Sequence, residues 1–592
     1  MDAALALSRV SLFTSLAQPA LAELASHATT LQLSSGDCLY QAGSPADQFY
    51  VLVRGRLRVS TGGDLLGHVN RHEPVGEMGV VSGEMRSSDV HAVRDSLLLA
   101  IPARVFLDFM HAQPDAMLAL TRLVIVRGRQ YRTRRRQSTT SHGGTMALIP
   151  ASSGVSAIQL GETLVGQLQG WPTTTLITAA HIDTVFGAGF AQTPLDGSVA
   201  DLRLRHWLAD LEERHVFVLY AADNDHDPWS LRCLRQADRI LILAEAASPP
   251  DDVPVLDELR ARGLLAPVEL VLLRPEGDPS PHTQAWCKET GARAHYFVHP
   301  WAQADVCALA RQISGRGIGL VLGGGGARGF AHIGLLRAFE QLQIPVDIVG
   351  GTSMGAFVSA MLACGFDSVE MEHIAHETFV AKNYLNDYTM PRVSLIRGQR
   401  FHNRLTAIFG NRQIEELRRS YYCISTNLTT GVPVVHDSGG LATWVGTSMS
   451  VPGVAPPIAW EGDLLCDGAV VNNLPTDVMQ SLERGVIIAS NVSAIGDISA
   501  PGAGIGLPDQ QALLNWSGKQ RAPKLSEILM RSASLASETS IQQASIERAD
   551  ICLNLPVQDI GMFEWNRLDD LIERGYRHAM EQLAPLRESL PD

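Results

Sequence analysis

The sequence predicts a multidomain chain in which a small β-barrel or jelly roll precedes two α/β domains. Three observations carry this. From Leu31 to Pro102 short alternating apolar runs recur between glycines. From Met146 to about Arg316, strand-like runs alternate with amphipathic segments, the pattern of a doubly wound parallel sheet. The stretch from Ile318 to Gly355 is one βαβ unit that ends in G-x-S-x-G. A length of 592 residues fits several domains.

Composition narrows the setting. With 45% hydrophobic and 19% charged residues, the chain is ordinary globular protein. A formal charge of -14 argues against nucleic acid as a partner and gives no general attraction to anionic membranes. The eight cysteines show no C-x-x-C pair or framework spacing, which suits a reducing cytoplasm. The first residues, MDAALALSRVSLFTSLAQPALAEL, lack the basic and unbroken apolar regions of a signal peptide. No apolar run reaches the roughly 18 residues of a transmembrane helix, so a membrane contact would be peripheral, at the inner face.

The first domain is expected over residues 1–136. Leu12, Phe13, Leu16, Leu21 and Leu24 suit short helices, and Leu39-Tyr40, Phe49–Val53, Leu57–Val59 and Leu97–Ile101 suit strands. Within it, Gly76 to Ser88 reads GEMGVVSGEMRSS and resembles the phosphate-binding cassette of cyclic nucleotide-binding domains. The resemblance implies that Arg86 takes a cyclic phosphate and Glu77 a ribose 2′-hydroxyl, with Gly76 and Ser87 in the same cassette. It makes cAMP or cGMP a regulatory ligand, against the alternative of an inherited barrel that packs and signals without one. Ala116–Val126 reads as a helix leaving the barrel. Six arginines follow between Arg127 and Arg136, either a solvated helix end or a contact to anionic lipid headgroups. Residues 137–145 read as a linker.

The second domain spans 146–316. Its strand-like runs are Ala147–Ile149, Thr175–Ala179, Val216–Ala221, Ile240–Ala244, Val268–Leu273 and Ala294–Val298, separated by segments such as Asp201–Glu213, Asp251–Arg262 and Ala302–Ile313. No G-x-x-x-x-G-K-[ST] is present, which argues against a working phosphate loop. With Trp229 and RCLRQAD at Arg232–Asp238, the region resembles the middle of neuropathy-target-esterase-like proteins, and that resemblance implies a scaffold. Asp223–Asp227 and His181-x-Asp183 read as polar loop residues, so no metal site is expected.

The third domain is expected over 317–484, with a helical extension over 485–592. In Gly351-Thr352-Ser353-Met354-Gly355 the serine sits on a tight strand-to-helix turn, where Gly351 and Gly355 remove side-chain clashes. The glycine run at 323–326 follows the preceding strand, so its N–H groups and those of the next helix can converge on a substrate oxygen. A rival reading takes Gly324 to Gly329 as a dinucleotide fingerprint, but Asp347 lies inside the second strand rather than at its end. A serine needs a base, and His332 and Asp467 are the candidates.

GGGARG, then GTSMG, then DGA resembles the patatin-like phospholipase family, here with the domain order of its neuropathy-target-esterase-like members. The resemblance implies an α/β hydrolase domain with Ser353 as nucleophile and Asp467 as base. Gly324, Gly325 and Gly326 then form the oxyanion hole, and Arg328 supplies positive charge. His332 is left a capping or packing role. Burial should raise the pKa of Asp467 enough to make it a useful base. The implied activity is hydrolysis of a phospholipid or lysophospholipid ester with no required cofactor. The rival readings are a cyclic-nucleotide sensor with an inert hydrolase fold, and a peptidase or short-chain carboxylesterase.

Overall fold

The computed structural model describes residues 3–591 except 15, 134–143, 153, 169–172, 224–226, 251–264, 275–279, 300–301, 391 and 494–541. Side chains are described as far as Arg127 in the helix Pro114–Thr133, and none is described at 541–542. The last arginines of the basic run, the centre of Asp223–Asp227, the segment Asp251–Arg262, and residues 494–541 of the expected helical extension lie outside the described residues. The chain divides into two compact units, Met1–Ala310 and Arg311–Asp592.

The first unit opens with two four-stranded antiparallel sheets. One has the order Thr29–Leu33, Ser96–Pro102, Gln48–Arg54, Pro74–Val75; the other runs Cys38–Tyr40, Asp89–Ala92, Leu57–Thr61, Asp64–Val69. Strands Gln48–Arg54 and Ser96–Pro102 are buried nearly throughout because both of their faces are covered. Tyr50, Leu52, Leu98 and Ala100 join Leu57, Val59 and Val90 inside the barrel. The alternate residues Phe49, Val51, Val53, Leu99 and Ile101 pack on the helical residues Leu7, Phe13, Leu21, Phe106 and Met110. Period-two geometry thus turns continuous apolar runs into two separate cores.

The same unit contains six parallel strands in the order Thr174–Ile177, Phe217–Ala221, Gly144–Pro150, Arg239–Glu245, Val268–Leu273, His295–Val298. Helices Ala157–Leu168, Val199–Arg214, Pro228–Gln236 and Thr283–Thr290 lie between successive strands, as parallel pairing requires. The residues of the RCLRQAD stretch are structural. Arg232 is 1% exposed and pairs at 2.7 Å with the fully buried Asp201. Asp238 and Arg235 reach the barrel, where Arg94 pairs with Asp238 at 2.8 Å and Arg235 with Asp95 at 2.9 Å. Val93 of the barrel is buried in the α/β core beside these ion pairs. Removing one partner of such a buried pair costs about 3–5 kcal/mol, so the barrel and the α/β layer form one packed body.

The second unit is built on a mixed sheet. Its order is Ile458–Trp460, Asp463–Asp467, Ser420–Asn427, Ile348–Thr352, Gly317–Leu322, Gly485–Asn491, Ile551–Asn554, with Pro433–His436 paired to Ser420–Asn427. Strands Gly317–Leu322 and Ile348–Thr352 are parallel neighbours at the centre, with Leu322 opposite Gly351. The glycine loop and the serine therefore leave the sheet side by side. Asp347 is spent inside the fold, pairing with Arg311 at 2.7 Å and accepting the Ile318 N–H, which removes the dinucleotide reading.

The sheet does not stop at Arg484. Gly485–Asn491 and Ile551–Asn554 extend it, and helix Leu568–Leu583 packs on Ala331–Leu342. A Cβ on Gly334 would lie 1.8 Å from the Ile572 carbonyl oxygen, and one on Gly575 2.0 Å from that of Ala331. These glycines let the two helices touch backbone to backbone. The expected separate extension after 484 is corrected accordingly: its described part completes the sheet and core of the same unit.

Candidate active site

Ser353 occupies a backbone conformation that side chains rarely adopt, with φ 54° and ψ −121°. Such a conformation costs about 1–3 kcal/mol and persists only where the surroundings impose it. Here they do. A Cβ on Gly355 would lie 2.1 Å from the Leu322 carbonyl oxygen, and one on Gly351 2.6 Å from the same atom. The Ser353 N–H donates to Ser448 Oγ at 2.9 Å, and that hydroxyl donates to the Ile424 carbonyl at 2.6 Å. Ser448 starts the proline-rich turn whose later residues line the same pocket.

The register brings Asp467 to this serine. Ile424 pairs with Thr352 on one strand and Ser425 with Asp467 on another, so the aspartate arrives one residue past the end of the serine strand. Ser353 Oγ donates to Asp467 Oδ2 at 2.7 Å, while Asp467 Oδ1 accepts the Ala469 N–H at 2.9 Å. Asp467 is 1% exposed. Burial pushes its pKa up to about 6, against the opposing pull of the Ala469 N–H and the Ser353 hydroxyl. A carboxylate so placed can accept a proton near neutral pH, and a hydroxyl bonded to it can become a nucleophile.

The glycine loop is clamped from both ends. His332 is fully buried and bonds the Gly323 carbonyl through Nε2 at 2.8 Å and Ser490 Oγ through Nδ1 at 3.0 Å. Burial lowers its pKa to about 4, so it is neutral at pH 7, with Nε2–H donating to the carbonyl and Nδ1 accepting from the serine. Both ring nitrogens are thus committed away from Ser353. Asn473 accepts the Gly324 N–H at 3.1 Å and donates to the Gly324 carbonyl at 3.1 Å and to Ser493 Oγ at 2.8 Å. Of the three glycines expected in an oxyanion hole, Gly324 has its N–H tied up internally. Among the described residues, the N–H groups of Gly325 and Gly326 have no protein acceptor.

Arg328 is 9% exposed and has no ion-pair partner among the described residues. Its Nε is buried without an acceptor, and burial lowers its pKa. An uncompensated guanidinium beside the loop favours negative charge arriving there. Gly324 to Gly326, Arg328, Ser353 and Asp467 share one pocket with Leu385, Ile396, Phe401, Met449, Val454, Phe563 and Trp565. Its wall is mostly apolar, and the segment 562–565 contributes to it. The Met562 carbonyl accepts the Ala327 N–H at 2.8 Å, which fastens that segment to the glycine loop.

In the barrel, Glu77 and Arg86 are buried at 3% and 4% exposure. Arg86 donates to the Gly76 and Gln48 carbonyls and lies over the Tyr40 ring at 4.3 Å. Glu77 is held by Arg127 of the helix Pro114–Thr133, at 2.7 Å. Ser87 is exposed. Asp183 and Asp227, from the two polar clusters, accept backbone N–H groups of their own loops.

Residues 320–479 match the patatin-like phospholipase family, 143–314 the P-loop-like domain of the neuropathy target esterase family, and 30–113 the cyclic nucleotide-binding domain. The chain thus carries, in this order, regions similar to a cyclic nucleotide-binding domain, the neuropathy target esterase P-loop-like domain and a patatin-like phospholipase. It is 29% identical to lysophospholipase NTE1 of Pyricularia oryzae, over 94% of this chain and 42% of that protein. Lysophospholipases nte1 of Aspergillus terreus and Aspergillus oryzae are each 30% identical, over 94% and 95% of this chain and 42% of each relative. The chain thus spans less than half the length of these relatives.

Sequence reasoning placed the turn at Ser448–Pro457 close to the site but missed Asn473, Ser490 and the 562–565 segment. Asn473 left a signal, because it follows the Asp467-Gly468-Ala469 stretch at a distance one short turn can span. Ser490 and the 562–565 segment reach the site only through long-range pairing, which carries no local pattern.

Proposed function

We propose that this patatin-like chain is a serine lipid acyl hydrolase that cleaves carboxylic ester bonds of lysophospholipids or phospholipids. The observation that carries this is the 2.7 Å hydrogen bond from Ser353 Oγ to the buried Asp467, set in a largely apolar pocket. An apolar lining of this kind suits an acyl chain better than a short polar ester. Ser353 Oγ attacks the ester carbonyl carbon while its proton passes to Asp467 Oδ2. The Gly325 and Gly326 N–H groups receive the oxyanion, with the charge of Arg328 beside them. Collapse of the tetrahedral intermediate breaks the bond to the alcohol oxygen, which takes the proton from Asp467. Water, deprotonated by Asp467, then attacks acyl-Ser353, and the returned proton restores the Ser353 hydroxyl as the fatty acid leaves.

The barrel's proposed role is control by a cyclic nucleotide, cAMP or cGMP, held by Arg86 and Glu77. The proposed setting is the cytoplasm with peripheral contact at the inner membrane face. Among the described residues no helix is long and apolar enough to cross a membrane. Fatty-acid release from lysophosphatidylcholine by the wild type, Ser353→Ala and Asp467→Asn tests the core of the reading. Loss in both variants with folding retained supports it. Turnover that survives Ser353→Ala would refute it.

A further inference from the structure

We infer that the hairpin around Tyr388–Val393 is the surface by which this protein docks on an anionic phospholipid membrane, delivering lipid directly into the pocket. The inference rests on the lipid-hydrolase reading and adds the place of contact.

The hairpin presents apolar side chains to water. Tyr388 is 73% exposed, Met390 83% and Val393 67%, three of the most exposed large hydrophobic residues of the described chain. Single exposed apolar residues are commonplace, but three on one short tip mark an interaction site. The tip stands on an ordered base. Tyr388 and Ile396 form an antiparallel bridge, and the Thr389 N–H donates to the Leu395 carbonyl at 3.0 Å. The Leu395 and Ile396 N–H groups donate to the Gly453 and Val454 carbonyls, each at 3.0 Å. Asp387 accepts the N–H groups of Gly398 and Arg400 at the start of helix Gln399–Phe409.

Position and charge select the partner. Leu385 and Ile396, at the two feet of the hairpin, line the pocket that holds Ser353. The apolar tip is therefore continuous along the chain with the apolar wall. Residues 383–400 contain Arg392, Arg397 and Arg400 against a single acid, Asp387, a local charge of +2 in a chain of -14. Arg392 and Arg397 are exposed, and neither side chain has a partner among the described residues. Cations beside protruding apolar and aromatic side chains match the headgroup and upper acyl layers of an anionic bilayer.

The test uses the full chain carrying Ser353→Ala, so that binding is read without turnover. It is sedimented with vesicles of phosphatidylcholine alone or mixed with phosphatidylglycerol. The expected result is binding to the mixed vesicles that weakens about tenfold when Met390→Asp and Val393→Asp are added. Arg392→Glu or Arg397→Glu should weaken it about fivefold each, with the loss confined to mixed vesicles. In the active protein these four substitutions should leave p-nitrophenyl butyrate turnover unchanged and lower release from vesicle-borne lysophosphatidylcholine in parallel with binding. Vesicle binding that is absent in the parent, or equal in parent and variants, overturns the docking surface. Failure of the active protein on every ester overturns the hydrolase reading instead, since sedimentation still reports the surface.

Discussion

Arg127 Nη1 lies 2.7 Å from Glu77 Oε1 and also donates to the Pro74 carbonyl at 2.8 Å. The carboxylate expected to meet a ribose hydroxyl is therefore held by an arginine on the helix that leaves the barrel. A ligand that needs Glu77 must share it with Arg127 or displace it. Arg127→Ala removes the competitor and should tighten binding of cAMP or cGMP by about tenfold, since a charged hydrogen bond is worth about 1.5–3 kcal/mol. Titration calorimetry reads this directly. Equal affinity in wild type and variant would show that Glu77 takes no part in binding.

Under the proposed mechanism the pKa of Asp467 sets the acid limb of activity. Its protonated form cannot accept the Ser353 proton, and burial places that transition at about pH 6. Acyl-enzyme formation should therefore rise about tenfold per pH unit below 6 and level off above about 7. Stopped-flow measurement on a monomeric ester isolates this step. A rate still flat down to pH 4.5 would mean that Asp467 titrates like an exposed carboxyl and is not the base.

The same shift has a thermodynamic sign. The folded pKa of Asp467 lies above the ordinary value of 3.8, so the fold favours the protonated form. That contribution is fully present below pH 3.8 and is lost as the pH rises through about 6. At pH 8 the buried carboxylate is a cost. Asp467→Asn keeps the shape and can still meet the Ala469 N–H and Ser353 Oγ. It should stabilise the Arg311–Asp592 unit by on the order of 2 kcal/mol at pH 8 and hardly at all at pH 4. Thermal unfolding at the two pH values checks the difference.

Much of this was legible in the residues. The six strands of the middle domain were all visible as apolar runs, because a sheet covered on both faces needs continuous hydrophobic segments. The elbow at Ser353 was legible because its backbone tolerates only glycine at 351 and 355. What stayed hidden depends on distant partners. Nothing near Arg127 announces that it closes on Glu77, fifty residues earlier. The place of Ile551–Asn554 beside Gly485–Asn491 was not visible, since pairing leaves no mark on either segment alone.

The loop clamp yields the last expectation. Asn473 bonds both the N–H and the carbonyl of Gly324, while His332 holds the Gly323 carbonyl next to it. Neither side chain supplies a proton to the reaction; both fix where the Gly325 and Gly326 N–H groups point. Asn473→Asp keeps the volume and the bond to the Gly324 N–H, but sets an oxygen against the Gly324 carbonyl. The loop should shift, and a displacement of about 1 Å at such donors costs about a hundredfold in rate. That loss should fall on kcat with KM nearly unchanged, and fluorophosphonate labelling of Ser353 should slow in step. His332→Phe removes both of its bonds and should act in the same direction, by about tenfold or more. A rise in KM with kcat preserved would instead make Asn473 a substrate-binding residue and would end the case for a clamp.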